Sequence, residues 1–129
     1  MSADPHPTEG ELAILQVLWN LNAPATVREV HEELLRTKDT AYTTVLKMLT
    51  IMSEKKLVRR DESERSHRYV PAHAEPVVQS SMLKSFLQST FSGSAFKLVQ
   101  SALADEHTSA EELEAISKLI AQAKSRRKK

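Results

Sequence analysis

A cluster of hydroxyl side chains and one long cation lies near the middle of the chain. Thr43, Thr44 and Thr50 occur within eight residues, and Lys47 lies between them. On a helix, residues three or four positions apart share a face, so Thr43, Lys47 and Thr50 would point the same way. Threonine hydroxyls can bond bases or phosphates, and lysine can bind a phosphate. The pattern is compatible with contact to a nucleic acid and equally with an ordinary exposed helix face.

Two arginines further along the chain extend this chemistry. Arg65 and Arg68 lie in and beside a polar segment at 61–66. The alternating stretches that flank this segment, 57–60 and 67–70, are typical of two short strands, so a β-hairpin is predicted. An arginine at the hairpin tip can reach a DNA backbone or the adjacent minor groove.

Other chemistries lack the residues they require. The chain has no cysteine and only two glycines, which excludes disulfides, thiolate metal sites and glycine-rich phosphate loops. Its five histidines are scattered without the spacing of metal ligands. We therefore predict no catalytic residues, no metal site and no cofactor, and we do not expect an enzyme.

Length and charge limit the number of domains and the kinds of partner. The 129 residues allow one ordinary domain or two small ones, and the formal net charge is +1. The longest apolar run covers only 12–15 and no signal peptide is recognisable, so we expect a soluble, cytoplasmic chain without direct membrane insertion. The small net charge argues against DNA binding only at first sight. Residues 26–70 carry ten basic and eight acidic residues, and 124–129 add five basic ones.

Helices are expected to position these side chains. The pattern Ser/Thr-x-x-Glu, in which the hydroxyl and the carboxylate satisfy each other's backbone amides, predicts helix starts at Thr8, Thr26 and Thr108. The first helix should cover about 9–21, and the second should end near 37–39. The apolar positions expected to be buried in the first three helices are Leu12, Leu15, Leu18, Trp19, Val27, Val30, Leu34, Leu35, Tyr42, Val45, Leu46, Leu49 and Met52.

The third helix is expected to begin after Thr40 and to carry the threonines on its outer face. Three helices followed by a β-hairpin is the element order of a winged helix-turn-helix. A major groove about 12 Å wide admits one such helix. The predicted fold class is mostly α: a winged helix-turn-helix with three helices and a hairpin wing, followed by a C-terminal helical dimerisation region.

The C-terminal part is predicted to contain three amphipathic helices that cannot enclose a core by themselves. We therefore expect two copies to pack together. The positions expected at this contact are Val78, Met82, Leu83, Phe86, Leu87, Val99, Leu103, Leu113, Ile116 and Ile120, and Ala95, Ala102 and Ala123 are expected to be buried with them. The predicted organisation is a flexible N-terminus at 1–7, a winged-helix domain at 8–73, a dimerisation domain at 74–123 and a disordered basic tail at 124–129.

Several stretches resemble the penicillinase-repressor (BlaI/MecI) family. They are 8–19 with its Leu-Trp pair, 26–30, 41–49 with Tyr-Thr-Thr-Val, 54–59, and 65–71. The resemblance covers nearly the whole chain, because the C-terminal helices also look like the family's dimerisation region. It implies a homodimeric transcriptional repressor that binds a short dyad-symmetric operator. In similar systems a membrane-embedded metalloprotease sensor relieves the repression.

The resemblance also implies roles for individual residues. By position, Thr43, Thr44 and Lys47 would read bases, and Thr40, Tyr42 and Arg65 would make backbone or wing contacts. The chain departs from the family pattern at three places: Lys56 and Glu64 stand where glycine is common, and Ser101-Ala102 stands where the best-known members have an Asn-Phe cleavage bond. If Lys56 is left-handed, it costs roughly 1 kcal/mol relative to glycine.

A second function stays open at this level. Winged helices also serve as docking modules without DNA, so the alternative is a protein-interaction adaptor. The basic end of the chain either keeps the protein soluble or adds nonspecific attraction to phosphates.

Overall fold

The computed structural model describes residues 5–128 and divides into two compact units, one up to Ser85 and one from Phe86 onward. In this part of the chain, no helix is both long enough and apolar enough to cross a membrane. Residues 1–4 of the predicted flexible N-terminus lie outside the described residues, whereas the Pro5 carbonyl accepts a hydrogen bond from Ser81 Oγ at 2.9 Å. The domain limits given above stay a prediction.

Three helices and a three-stranded antiparallel sheet form most of the first unit. In chain order they are α1 (Glu9–Leu21), β1 (Ala25–Thr26), α2 (Val27–Leu34), α3 (Tyr42–Glu54), β2 (Val58–Asp61) and β3 (Arg68–Pro71). The strand order is β1-β3-β2, and Tyr69 of β3 lies opposite Ala25 on one side and Arg60 on the other. This order confirms the predicted winged helix-turn-helix and adds β1, which the sequence did not indicate.

A single apolar core holds these elements together. Its most buried side chains are Ile14, Leu15, Leu18, Val30, Val45, Leu49, Met52, Val58, Tyr69 and Val78. Trp19 packs against this core, as predicted, and its indole N–H donates to the His73 carbonyl at 3.1 Å. That bond ties the segment after the wing to α1, because an indole N–H inside a fold needs an acceptor.

Helix caps follow the sequence closely. Thr8 with Glu11 and Thr26 with Glu29 form the two predicted capping boxes, in which each hydroxyl accepts from a backbone N–H and each carboxylate accepts in return. The third predicted box is wrong by one residue, because Ser109 rather than Thr108 caps its helix. Two neighbouring hydroxyl residues offer the same chemistry, so the pattern alone could not choose between them.

Several predicted positions differ from the structure in the first unit. The second helix ends at Leu34 rather than near 37–39, and Leu35 is exposed. Tyr42 and Leu46 are also exposed, because they face the wing rather than the core. Both hairpin strands begin one residue later than predicted, since Leu57 still closes the end of α3 through its N–H to the Met52 carbonyl at 2.9 Å.

Three further helices complete the chain: α4 (Glu75–Phe91), which spans the division between the units, α5 (Ala95–Ala104) and α6 (Ala110–Arg127). No residue of α5 or α6 is buried in the single chain, so the burial predicted at Ala95, Val99, Ala102, Leu103, Leu113, Ile116, Ile120 and Ala123 is not found there. The predicted disorder of the basic tail is wrong as far as Arg127, which is helical. Cations in a last helical turn complement the negative end of the helix dipole. Lys129 lies outside the described residues.

Candidate nucleic-acid interface

The outer face of α3 presents small polar groups to solvent. Thr43, Thr44 and Lys47 are all exposed, as the sequence predicts for that face. Thr50 differs, because it is half-buried and its Oγ1 donates to the Leu46 carbonyl at 2.9 Å. The hydroxyls of Thr43 and Thr44 make no side-chain hydrogen bond to another described residue, which leaves them available to an external partner.

A groove of about 690 Å³ runs between α3, the start of α2 and the hairpin. It is lined by Thr26, Val27, Arg28, Tyr42, Leu46, Arg65, Ser66, His67 and Tyr69. The sequence singled out Tyr42 and Arg65 in this set. Arg28 and His67 were missed, and the signal that could have found Arg28 is its place in the first turn of α2, one of the three helices of the predicted DNA-binding unit.

Ion pairing separates the cations of this unit into two groups. Arg28, Lys47 and Arg65 form no ion pair with a carboxylate in residues 5–128. Arg68 is different, since its Nη1 lies 3.5 Å from Glu29 Oε1. An exposed cation without a partner can bind a phosphate without first breaking an ion pair.

Glu29 holds Arg68 over the start of α2. The Thr26 backbone N–H donates to Glu29 Oε1 at 2.8 Å, and this hydrogen bond is the main reason that the pKa of Glu29 is lowered, with Arg68 contributing through its charge. The carboxylate is therefore ionised at neutral pH and shared between the cap and the arginine. Arg68, predicted as a DNA contact, is thus partly engaged within the fold.

The start of α3 is held from outside the helix. His31 Nε2 lies 2.7 Å from the Thr40 carbonyl, and the rings of His31 and Tyr42 meet edge to face with centroids 5.7 Å apart. The Thr40 hydroxyl oxygen is inaccessible to solvent and has no hydrogen-bond partner among the described residues. Thr40 therefore presents no hydroxyl to a ligand in this conformation.

A family model described as "Penicillinase repressor" matches residues 7–122. The chain belongs to the penicillinase repressor family. The protein named transcriptional regulator BlaI in Mycobacterium tuberculosis, strains CDC 1551 / Oshkosh and ATCC 25618 / H37Rv, is 36% identical over 115 residues, which cover 87% of this chain and 80% of that protein. The resemblance read from the sequence is confirmed, and both relatives are named as transcriptional regulators.

A solved structure is similar to part of this family member. It is the solution structure of the monomeric form of Bacillus licheniformis BlaI in complex with the blaP half-operator. The sequences are 25% identical, the match covers 60% of this chain and 93% of that one, and the TM-score is 0.50. The likeness supports the winged-helix architecture described above.

This member of the family places lysine in a backbone conformation that favours glycine. Lys56 has φ 64°, so the left-handed position considered from the sequence is confirmed. Its N–H bonds the Ser53 carbonyl at 3.1 Å, while the next residue, Leu57, bonds the Met52 carbonyl. These two bonds form a Schellman motif that ends α3 and directs the chain into the wing.

The wing tip turns without glycine. Asp61 Oδ1 accepts from the Ser63 backbone N–H at 3.0 Å, and this hydrogen bond lowers the pKa of Asp61. This side-chain turn closes the tip without any residue of 61–66 in the left-handed region. Glu64 and Arg65 follow it, and both are exposed.

The residues predicted at the dimer contact fall into three groups. Val78 is only 1% exposed and packs in the core of the first unit, so it is a core residue there. Met82, Leu87 and Ile116 are half-buried. The exposed group contains Leu83, Phe86, Val99, Leu103, Leu113 and Ile120, and the structure adds Phe96 and Leu119, which are 74% and 62% exposed.

Proposed function

We propose that this chain is a sequence-specific, DNA-binding transcriptional repressor of the cytoplasm, with α3 as the helix that enters the major groove. The observation that carries the proposal is the outer side of the first unit. There α3 offers the hydroxyls of Thr43 and Thr44 and the charge of Lys47, and Arg28 and Arg65 border the adjoining groove. None of these three cations has an ion-pair partner among residues 5–128. Family membership and the operator complex of the similar BlaI support the same assignment.

The side chains divide between reading bases and holding phosphates. In the proposed complex, Thr43, Thr44 and Lys47 contact base edges, because they lie on the exposed face of α3. Tyr42 and Arg65 bind the backbone beside them, and Arg28 belongs to the same set. Phosphate contacts fix the register of the helix on the duplex, and base contacts give the sequence preference.

Two residues of the predicted interface take a smaller part in this proposal. Arg68 must share its charge with Glu29, so its contribution to phosphate binding is weaker than that of Arg65. Thr40 acts through its backbone, because its hydroxyl is inaccessible.

A second copy of the chain completes the proposed repressor. Leu83, Phe86, Phe96 and Leu119 expose large apolar surfaces that one chain leaves uncovered. A two-fold dimer would set two α3 helices about 34 Å apart, one turn of DNA, and so match a dyad operator. The half-operator bound by the monomeric form of B. licheniformis BlaI supports one half-site per copy.

Relief of repression by a membrane-embedded metalloprotease sensor is the remaining part of the proposal, and family membership supports it. Ser101 and Ala102, which stand at the family's cleavage position, are exposed but lie inside α5. Cleavage there requires local unwinding, because a protease binds its substrate in an extended form.

Selection of duplexes from a random DNA library, followed by gel shift with the enriched sequence, tests the proposal. The wild type should enrich a dyad sequence, and Lys47→Ala should bind it about tenfold more weakly with an unchanged melting temperature, because Lys47 is exposed. Lys118→Ala on α6 is the matched control. Enrichment of no sequence would favour the adaptor function, and equal affinity of Lys47→Ala would remove that residue from the interface.

A further inference from the structure

The helix assigned to the major groove begins without a cap of its own. Its N-cap residue, Ala41, has no side chain that can accept a hydrogen bond. Hydroxyl side chains cap four other helices: Thr8 on α1, Thr26 on α2, Ser94 on α5 and Ser109 on α6. An N-cap side chain satisfies a backbone N–H of the first turn and stabilises the helix start, a contribution that α3 lacks.

His31 of α2 supplies two contacts at this point. Its Nε2 lies 2.7 Å from the Thr40 carbonyl, one residue before Ala41. Since a carbonyl only accepts, Nε2 must carry the hydrogen, as it does in one neutral tautomer and in the imidazolium. The imidazole also meets the Tyr42 ring at 90° with centroids 5.7 Å apart, one residue after Ala41.

The two contacts of His31 hold the residues immediately before and after the N-cap of α3. Thr40 is held by a hydrogen bond, and Tyr42 is held by an edge-to-face ring contact of the geometry that aromatic pairs prefer. Thr43 and Thr44 follow directly in the chain. Their hydroxyls can reach base edges only if the first turn keeps its direction, whereas attraction between cations and phosphates tolerates small shifts.

We infer that His31 is a positioning residue for sequence recognition: it makes no base contact itself, and it orients the start of α3 so that Thr43 and Thr44 meet the bases. This inference rests on the proposed function. It predicts that changes at His31 reduce preference for the specific sequence more than they reduce general affinity for DNA.

The test uses the full-length protein and two probes, the duplex enriched by the wild type and a scrambled duplex of the same composition. His31→Ala should bind the enriched duplex about two- to tenfold more weakly, the range for one lost hydrogen bond, and should bind the scrambled duplex as the wild type does. His31→Gln, whose amide N–H can replace the donor, should recover part of the loss. His31→Phe keeps a ring beside Tyr42 without the donor and should recover less.

Controls separate this inference from the proposed function and from general instability. His6→Ala removes an exposed imidazole elsewhere and should leave the ratio of the two affinities unchanged. Binding is compared at a temperature where circular dichroism shows every variant folded, and the three variants at position 31 allow the comparison if one of them does not fold. An unchanged ratio of the two affinities in His31→Ala, which includes an equal fall on both duplexes, would overturn this inference and leave the proposed function intact. A wild type that enriches no sequence would overturn the proposed function as well.

Discussion

Replacement of Lys56 by glycine should stabilise the first unit. Lys56 occupies the left-handed region at φ 64°, directly after the end of α3. Its side chain is exposed and forms no ion pair in residues 5–128. Its removal therefore loses little packing, while the Schellman hydrogen bonds of the motif use backbone atoms and persist in the variant.

The size of the effect follows from two opposing terms. A residue with a Cβ in the left-handed region costs about 1–2 kcal/mol, which glycine avoids. Glycine in turn gives the unfolded chain more freedom, which costs about 0.4–1 kcal/mol. The net gain should be about 1 kcal/mol, and this raises the melting temperature of a unit of this size by roughly 4–8 °C.

Urea and thermal unfolding monitored by circular dichroism measure this gain, and two variants control it. Lys56→Ala removes the same charge and side chain but keeps the Cβ, so its stability should stay within about 0.5 kcal/mol of the wild type. Asn22→Gly acts at another left-handed position, φ 53°, where the gain should be smaller because asparagine tolerates that region. A Lys56→Gly protein no more stable than Lys56→Ala would refute the assignment of backbone strain to this site.

Two further predictions concern acid stability and assembly. Burial by itself raises the pKa of Glu11, but hydrogen bonds from Lys55 Nζ and the Thr8 N–H outweigh it, so the pKa of the folded protein lies below the ordinary 4.5. The carboxylate stabilises the fold fully above pH 4.5, and this contribution is lost as the pH falls through the lowered pKa. In urea titrations at decreasing pH, the wild type should lose stability more steeply than Glu11→Gln. Parallel curves for the two proteins would contradict the assignment. Leu83 and Phe86 are 50% and 48% exposed in one chain, so replacing both by alanine should weaken the proposed dimer with little effect on the fold. Sedimentation equilibrium measures the mass of the assembly. A double variant with the same mass as the wild type would count against this contact.

Local rules account for the parts of the fold that the sequence predicts well. The first helix covers Glu9–Leu21 as expected, because its capping box at Thr8 and the proline segment after Leu21 act within a few residues. The helix-helix-helix-hairpin order follows from the change of apolar spacing after Glu54. The exposure of Thr43 and Lys47 follows from the burial of Val45 and Leu49 on the opposite side of the same helix.

Contacts between elements explain what the sequence could not predict. The spacing of apolar residues indicates which side of a helix is buried but not where that side ends. Tyr42 and Leu46 are therefore expected in the core from the sequence, although they line the groove. His31 carries no local signal, since its partners at Thr40 and Tyr42 lie across a turn. The hairpin strands begin one residue later than expected because Leu57 still belongs to the motif that ends α3, and a period of two cannot locate such an end.

Contacts between elements also determine which charges are neutralised, and the net charge was the property that at first argued against DNA binding. A count over residues 26–70 gives a small positive excess and treats every cation alike. Within residues 5–128, Lys55 and Arg68 are bound by Glu11 and Glu29, whereas Lys47 on α3 and Arg65 on the wing are unpaired. Attraction to a phosphate depends on the cations that are not already neutralised, because a paired cation must give up one anion to gain another. Attraction to DNA therefore depends on how the unpaired cations are arranged around α3 and the groove. The pairing of side chains determines this arrangement, and the net charge does not describe it.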